Sequence, residues 1–247
     1  MTVSIAVVTQ RLGEAESNQG IGIGYWVKHG NRPLTLSAIA FPAASGSHPQ
    51  YLLVALHGWG ANAQDLAGLA PYLELDNCQM LFPDAPFHHP QVPGGRMWYG
   101  FPQNYDFRSP PDFERQSDLN QSRQCLTQWL ISLKASTGVP LNQTVLAGFS
   151  QGGAMTLDVG TQLPLAGLMV LSGYLHAPVR PQHPNLPILI IHGRQDLVVP
   201  LALAQQARAE LLTHNLAVEY YERNMGHEIQ PEMLTQMKHF CEILWTK

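Results

Sequence analysis

From Tyr51 onward, short apolar runs of strand length alternate with stretches whose apolar residues recur at helical spacing. YLLVAL (51–56), CQMLFP (78–83), QTVLAG (143–148) and AVEYYE (217–222) read as strands. LAGLMVLSG (165–173) and LPILIIHG (186–193) show no polar alternation, which predicts parallel strands covered on both faces. Between the strands, Asn62 and Asp65 form a capping pair for a helix through about Leu73. Leu119, Leu126, Trp129, Leu130 and Leu133 mark one face of a helix that Pro140 ends. Further helices are expected from the serine turn at 150 to about Gln162, over about 201–214, and over 231–246. The last carries a stripe of Met233, Leu234, Met237, Phe240, Cys241 and Leu244. This alternation predicts an α/β fold, a doubly wound and mostly parallel sheet, with functional groups gathered at the carboxyl ends of its strands.

Two regions break the pattern. Residues 1–49 hold three strand-like pieces, SIAVVTQ, GIGIGYWV and LTLSAIAF, expected as an antiparallel N-terminal strand extension. Gly20, Gly22 and Gly24 alternate within it, but Tyr25 interrupts the dinucleotide-loop spacing and no helical segment follows, so an edge strand is expected there. Residues 84–113 are dense in proline, glycine and aromatics and match no regular element. Irregular segments of that length usually serve the site, so this one is expected near it.

Composition narrows the class. A chain of 247 residues fits a single α/β domain, expected over 1–247. The balance of 45% hydrophobic and 13% charged residues suits a packed enzyme-like core and excludes a disordered or fibrous chain. A formal net charge of −4, with 14 Lys plus Arg and no basic cluster, gives no support for nucleic-acid binding. Cys78, Cys125 and Cys241 are widely spaced and form no CxxC, so they read as reduced packing residues in a cytoplasmic setting. The opening MTVSIAVVTQRLGEAES lacks the form of a secretory signal, and no apolar run reaches the roughly 20 residues of an integral membrane segment.

The chemistry centres on AGFSQGGAM, 147–155, where Ser150 lies between a strand and a helix with Gly148 and Gly152 two positions either side. A serine on so sharp a turn takes a strained conformation, and glycines remove the side chains that would collide with it. The hydroxyl is then held at a helix N-terminus, where the backbone N–H of Gln151 faces a developing oxyanion. A serine nucleophile requires a base, and the base an orienting acid. With the order serine, acid, histidine, the best acid is Asp196 in HGRQDLVVP and the best base is His227 in NMGHEI. The loop LHGWGAN (56–62) offers a second donor, the backbone N–H of Trp59, with His57 as a brace. Among the competitors, Asp158 reads as a solvated or paired carboxylate, His192 as structural, His239 as a surface residue, and His88 and His89 as members of an exposed loop. No HExxH or comparable cluster suggests a metal.

Taken in order, LHGWGAN, GFSQGGAM, HGRQDLVVP and GHEI resemble the serine carboxylesterase, phospholipase and acyl-protein thioesterase group of the α/β-hydrolase superfamily, over about 51–247. The resemblance implies Ser150 as nucleophile, Asp196 as orienting acid, His227 as base, and the Trp59 and Gln151 N–H groups as oxyanion hole. It also implies an apolar groove beside the serine, for which Trp98 and Leu197 are candidates, with packing roles as the alternative. The extended N-terminus and the long aromatic loop depart from the compact members.

The expected reaction is hydrolysis of a small-molecule acyl ester or thioester through an acyl-enzyme, with no cofactor and no metal. A neutral histidine base predicts activity falling on acidification through roughly pH 6–7. A serine peptidase is a second enzymatic reading, though no additional gating domain is evident. Dienelactone hydrolases generally carry cysteine at the turn. A non-catalytic ligand-binding or interaction module on the same scaffold is the reading from another class. Self-association as a homodimer is left open.

Overall fold

The computed structural model describes residues 28–29, 32–33, 36–43, 48–102, 105–107, 113 and 116–246. Among the described residues, seven strands form the central sheet: β3 (Ala38–Phe41), β4 (Tyr51–Leu56), β5 (Cys78–Pro83), β8 (Thr144–Phe149), β9 (Gly167–Leu171), β10 (Pro187–Gly193) and β11 (Ala217–Arg223), in the order β11-β10-β9-β8-β4-β5-β3. Only β3 runs antiparallel, pairing Ala38 with Pro83 of β5; the other neighbours are parallel. Two short antiparallel pairs stand apart: β1 (Lys28–His29) with β2 (Arg32–Pro33), and β6 (Phe87–His88) with β7 (Arg96–Met97). The expected strands in SIAVVTQ and GIGIGYWV lie outside the described residues, and the third N-terminal piece supplies β3.

Because strand side chains alternate, each central strand feeds two cores. Leu52, Val54, Leu56, Leu146, Leu168, Val170, Ile188 and Ile190 point to one side. There they meet α3 (Ser117–Thr137) through Leu119, Leu126, Trp129, Leu130 and Leu133, together with α4 (Gln151–Gly160) and α5 (Leu201–Thr213). Leu53, Ala55, Val145, Ala147, Met169, Leu189 and Ile191 point to the other. That face is covered by α1 (Ala63–Ala67), α2 (Ala70–Leu73) and α6 (Pro231–Trp245), the last contributing Met233, Met237, Phe240 and Cys241. Full burial of each such aliphatic side chain contributes about 1.5–3 kcal/mol. This two-sided demand is why the central strands carry no polar alternation.

One expected helix is divided. The Asn62/Asp65 capping box forms, but α1 stops at Gly68 and a separate turn, α2, begins at Ala70 with Pro71 in its first positions. Proline has no N–H to continue the ladder of α1, so the chain restarts there. The expected cysteine placement holds: Cys78, Cys125 and Cys241 are buried and unpaired. Burial pushes the Cys78 thiol up to about 12, so it stays protonated at neutral pH. No helix among the described residues is long and apolar enough to cross a membrane.

Leu189 is wholly buried in β10 against the α6 side of the sheet. Leu189→Ala is expected to lower the unfolding free energy by about 2–5 kcal/mol in a urea titration; a loss under about 1 kcal/mol would contradict this account of the core.

Candidate active site

Strand β8 ends at Phe149 and helix α4 begins at Gln151, so Ser150 alone makes the turn between them, with φ 54° and ψ −117°. Such a conformation costs on the order of 1–3 kcal/mol and persists only where its surroundings enforce it. Here the Ser150 N–H donates to the Leu171 carbonyl at 2.9 Å, and the Ser150 carbonyl accepts from the Ala154 N–H at 3.1 Å. The flanking glycines act one layer further out than the sequence reading placed them. A Cβ on Gly148 would lie 2.2 Å from the Gly152 carbonyl oxygen, and one on Gly152 would lie 2.2 Å from the Leu56 carbonyl oxygen. They permit backbone-to-backbone contact among β8, α4 and the end of β4, and that contact holds the serine turn.

Asp196 follows β10, and His227 lies between β11 and α6, so both arrive at the same carboxyl edge of the sheet as Ser150. His227 Nε2 is 3.0 Å from Ser150 Oγ, and His227 Nδ1 is 2.7 Å from Asp196 Oδ2. A carboxylate accepts only, so Nδ1 carries the proton and Nε2 is free to accept from the serine hydroxyl. The other Asp196 oxygen, Oδ1, accepts from the Val198 and Val199 N–H groups at 2.9 and 2.8 Å. Those two peptide groups and the imidazole satisfy a carboxylate whose side chain is fully buried. The Phe149 ring packs 4.8 Å from the His227 ring and fixes its far side.

The loop after β4 passes close above the serine: a Cβ on Gly58 would sit 3.3 Å from Ser150 Cβ. Trp59 is the next residue, and no backbone carbonyl among the described loop and turn bonds accepts its N–H. Gln151, first residue of α4, has an N–H with no intrahelical acceptor and lies at the positive end of the helix dipole. His57 braces this loop as expected. It is fully buried, its Nε2 accepts from the Ala85 N–H at 3.0 Å, and its Nδ1–H donates to the Gly58 carbonyl at 2.8 Å. His192 is likewise structural: its Nε2–H donates to the Val199 carbonyl at 2.9 Å and holds the loop that carries Asp196. Burial lowers the pKa of both imidazoles and keeps them neutral.

The remaining candidates separate cleanly. Asp158 is paired as expected, with Arg123 and with His176 Nε2 at 2.7 Å. Burial alone would raise its pKa, but His176 and Arg123 outweigh that and hold it below the ordinary carboxylate value. His239 and His88 are exposed. His89, expected in an exposed loop, is instead buried. Its Nδ1 accepts from the Gln91 and Val92 N–H groups, and its ring lies 4.1 Å from that of Trp59. Leu197, beside Asp196, is 96% exposed. Trp98 departs from its assignment as a groove residue: it is fully buried, with its indole N–H donating to the His57 carbonyl at 3.0 Å. The alternative packing role is the one it takes, because the chain folds inward at 98–99. Among the described residues no group of three or more His, Cys, Asp or Glu is placed to hold a metal ion.

The sequence reading missed the side chain of Gln151, which is fully buried with both ends of its amide bonded to the 98–99 backbone. It also missed the Tyr99–Tyr174–His176 cluster, where the two hydroxyls lie 2.6 Å apart. A polar residue next to the nucleophile and an aromatic pair in an irregular loop were the only signals, and neither specifies a partner.

The phospholipase/carboxylesterase family model matches residues 38–245. The chain belongs to that family. Acyl-protein thioesterase 1 of Saccharomyces cerevisiae is 27% identical over 210 residues, covering 77% of this chain and 91% of that protein. The crystal structure of esterase PE8 aligns with a TM-score of 0.76 at 28% identity, covering 85% of this chain and 99% of that one. SOBER1 of Arabidopsis thaliana aligns with a TM-score of 0.69 at 25% identity, covering 79% and 99%. The fold is that of the α/β-hydrolases.

Two measurements follow from this geometry. Gly152→Ala forces a methyl group against the Leu56 and His57 carbonyls and is expected to cost at least about 1–3 kcal/mol in urea unfolding; wild-type stability would refute the close contact. Depressed folded-state pKa values at His57 and His192 mean that the unfolded chain binds more protons below the ordinary histidine value of 6.5. Their stabilising contribution is therefore present above that pH and lost as pH falls through the folded values. The urea midpoint should be lower at pH 5.5 than at about pH 7.5, and an unchanged midpoint would contradict burial of two neutral imidazoles.

Proposed function

We propose that Ser150, His227 and Asp196 hydrolyse carboxylic esters or thioesters through an acyl-enzyme. By its family the chain is a carboxylic ester hydrolase. The observation that carries the residue assignment is the unbroken hydrogen-bonded series from Ser150 Oγ through the His227 ring to Asp196.

In the first half-reaction His227 Nε2 takes the hydroxyl proton as Ser150 Oγ bonds to the acyl carbon. Asp196 stabilises the imidazolium without taking its proton. The carbonyl oxygen becomes an oxyanion between the Trp59 and Gln151 N–H groups. Collapse of the tetrahedral intermediate expels the alcohol or thiol, which receives the proton from His227. Water then enters by the same route, attacks the acyl-enzyme and releases the acid. Removal of one oxyanion donor typically costs about 10²–10³ in rate, so the two N–H groups contribute a large part of the acceleration.

Leu197, exposed beside the acid, is the residue proposed to meet the acyl chain. Three buried free cysteines support a reducing, cytoplasmic setting. The non-catalytic reading has no support of its own, since a ligand-binding module needs no imidazole at 3.0 Å from a serine hydroxyl.

A fluorophosphonate probe should label the wild-type protein at Ser150 and leave Ser150→Ala unlabelled; labelling that persists in the variant would remove the nucleophile. On a panel of aryl esters and matching thioesters of increasing chain length, Ser150→Ala should lose about 10⁴–10⁶ in kcat on every substrate that wild type cleaves. Asp196→Asn, which leaves His227 in the wrong tautomer, is expected to lose about 10⁴. Turnover should also fall on acidification while the protein remains folded, because protonation occupies the nitrogen that must accept the serine proton; a flat profile from about pH 8 to pH 5 would exclude a histidine base.

A further inference from the structure

The two proposed oxyanion donors sit on different loops, one after β4 and one at the start of α4. The segment 96–100, which begins in β7, touches both. On the first side it pairs with the loop backbone: Arg96 N–H donates to the Ala61 carbonyl at 2.7 Å, and the Arg96 carbonyl accepts from the Gly60 N–H at 2.8 Å. The Trp98 indole N–H adds the bond to the His57 carbonyl, two residues before Trp59. On the second side, Trp98 N–H donates to Gln151 Oε1 at 2.9 Å, and Gln151 Nε2 donates to the Tyr99 carbonyl at 2.8 Å. The segment is itself tied to the start of α3. Ser122 Oγ donates to the Trp98 carbonyl, Gly100 N–H donates to Asp118 Oδ2 at 2.7 Å, and Gln116 Nε2 donates to the Gly100 carbonyl at 2.6 Å.

We propose that 96–100 is a bracket that sets the separation of the Trp59 and Gln151 N–H groups, and that the Gln151 side chain and the Trp98 indole are its positioning residues. The inference rests on the reading of those two N–H groups as the oxyanion hole. Oxyanion donors act at about 2.7–3.1 Å from the oxygen, so a loop displacement of well under an ångström removes most of their effect. The carboxamide of Gln151 suits this task because one group supplies both the acceptor for Trp98 N–H and the donor for the Tyr99 carbonyl. A carboxylate lacks the donor, and a thioether lacks the donor and is only a weak acceptor. Gln151 and Trp98 are each fully buried, so water does not replace the bonds they make. The same residue thus presents its main-chain N–H to the oxyanion and, through its side chain, fixes where the opposite loop stands.

The test compares wild type, Trp98→Phe and Gln151→Met for ester kcat and KM, and for inhibition by a trifluoromethyl ketone whose serine adduct places an oxyanion in the same hole. Trp98→Phe keeps an aromatic ring and deletes the indole N–H; Gln151→Met keeps length and deletes both amide bonds. Each variant is expected to lose about tenfold to a hundredfold in kcat with KM within about twofold of wild type. The ketone's inhibition constant should weaken by the same factor as kcat/KM, a proportionality that a merely structural role would not produce. Wild-type kcat and ketone affinity in folded Trp98→Phe would overturn the proposal, as would a loss of kcat with ketone affinity intact. Should Gln151→Met fail to fold, Trp98→Phe decides alone. Ser150→Ala separates the two levels: an active Ser150→Ala enzyme defeats the site assignment, whereas an inactive one beside unaffected bracket variants defeats only the bracket.

Discussion

At the edge of the sheet, three stretches of backbone approach more closely than any side chain would allow. The end of β8, the first turn of α4 and the end of β4 meet at Gly148 and Gly152, where an added methyl carbon would fall 2.2 Å from a carbonyl oxygen. That approach leaves a single residue to join strand to helix and holds it at positive φ. Ser150 is consequently raised above the strand ends at the start of a helix. It stands beside the Gly58 turn and within reach of loops from β10 and β11. Every other part of the site is positioned relative to this contact.

The histidines show how environment divides one chemical type among different tasks. His57 and His192 are sealed from water, each donating a ring N–H to a backbone carbonyl, and burial keeps them neutral braces for the loops after β4 and β10. His176 has a hydrogen-bonded carboxylate like His227, yet its partners are Asp158 and the Tyr99 hydroxyl, and the serine is not among them. Among the described histidines, only His227 spans a carboxylate and the serine hydroxyl. Asp196, in turn, is held by the peptide N–H groups of Val198 and Val199, so its loop is shaped around its charge. The carboxylate and the loop shaped around it thus hold the His227 ring in one orientation.

Much of the architecture was legible because its causes are local or periodic. A strand covered on both faces must be apolar along nearly all its length, and LPILII and LAGLMVL are. A helix covered on one face must repeat its apolar residues, as α3 and α6 do. The order of Ser150, Asp196 and His227, each just beyond a strand, singled them out as candidates over Asp158 and His192, and the three side chains do meet, since parallel strands deliver their carboxyl ends to one edge. Less was legible where two local signals compete. The capping box at Asn62 starts a helix, but Pro71 divides what the apolar spacing presents as one element.

What the chain by itself determined was which elements form and which residue types stand at the ends of the strands, because periodicity, capping and turn chemistry act over a few neighbours. What only the tertiary structure decided was the partner and exposure of each side chain in the irregular segment. Trp98 and Leu197 were equal candidates for a groove, yet one is sealed against His57 and the other is open to solvent. His89 turned inward to cap its own loop, and the Gln151 amide closed on the backbone at 98–99. Burial and hydrogen-bond pairing depend on distances between residues remote in the chain, and no local pattern encodes those distances.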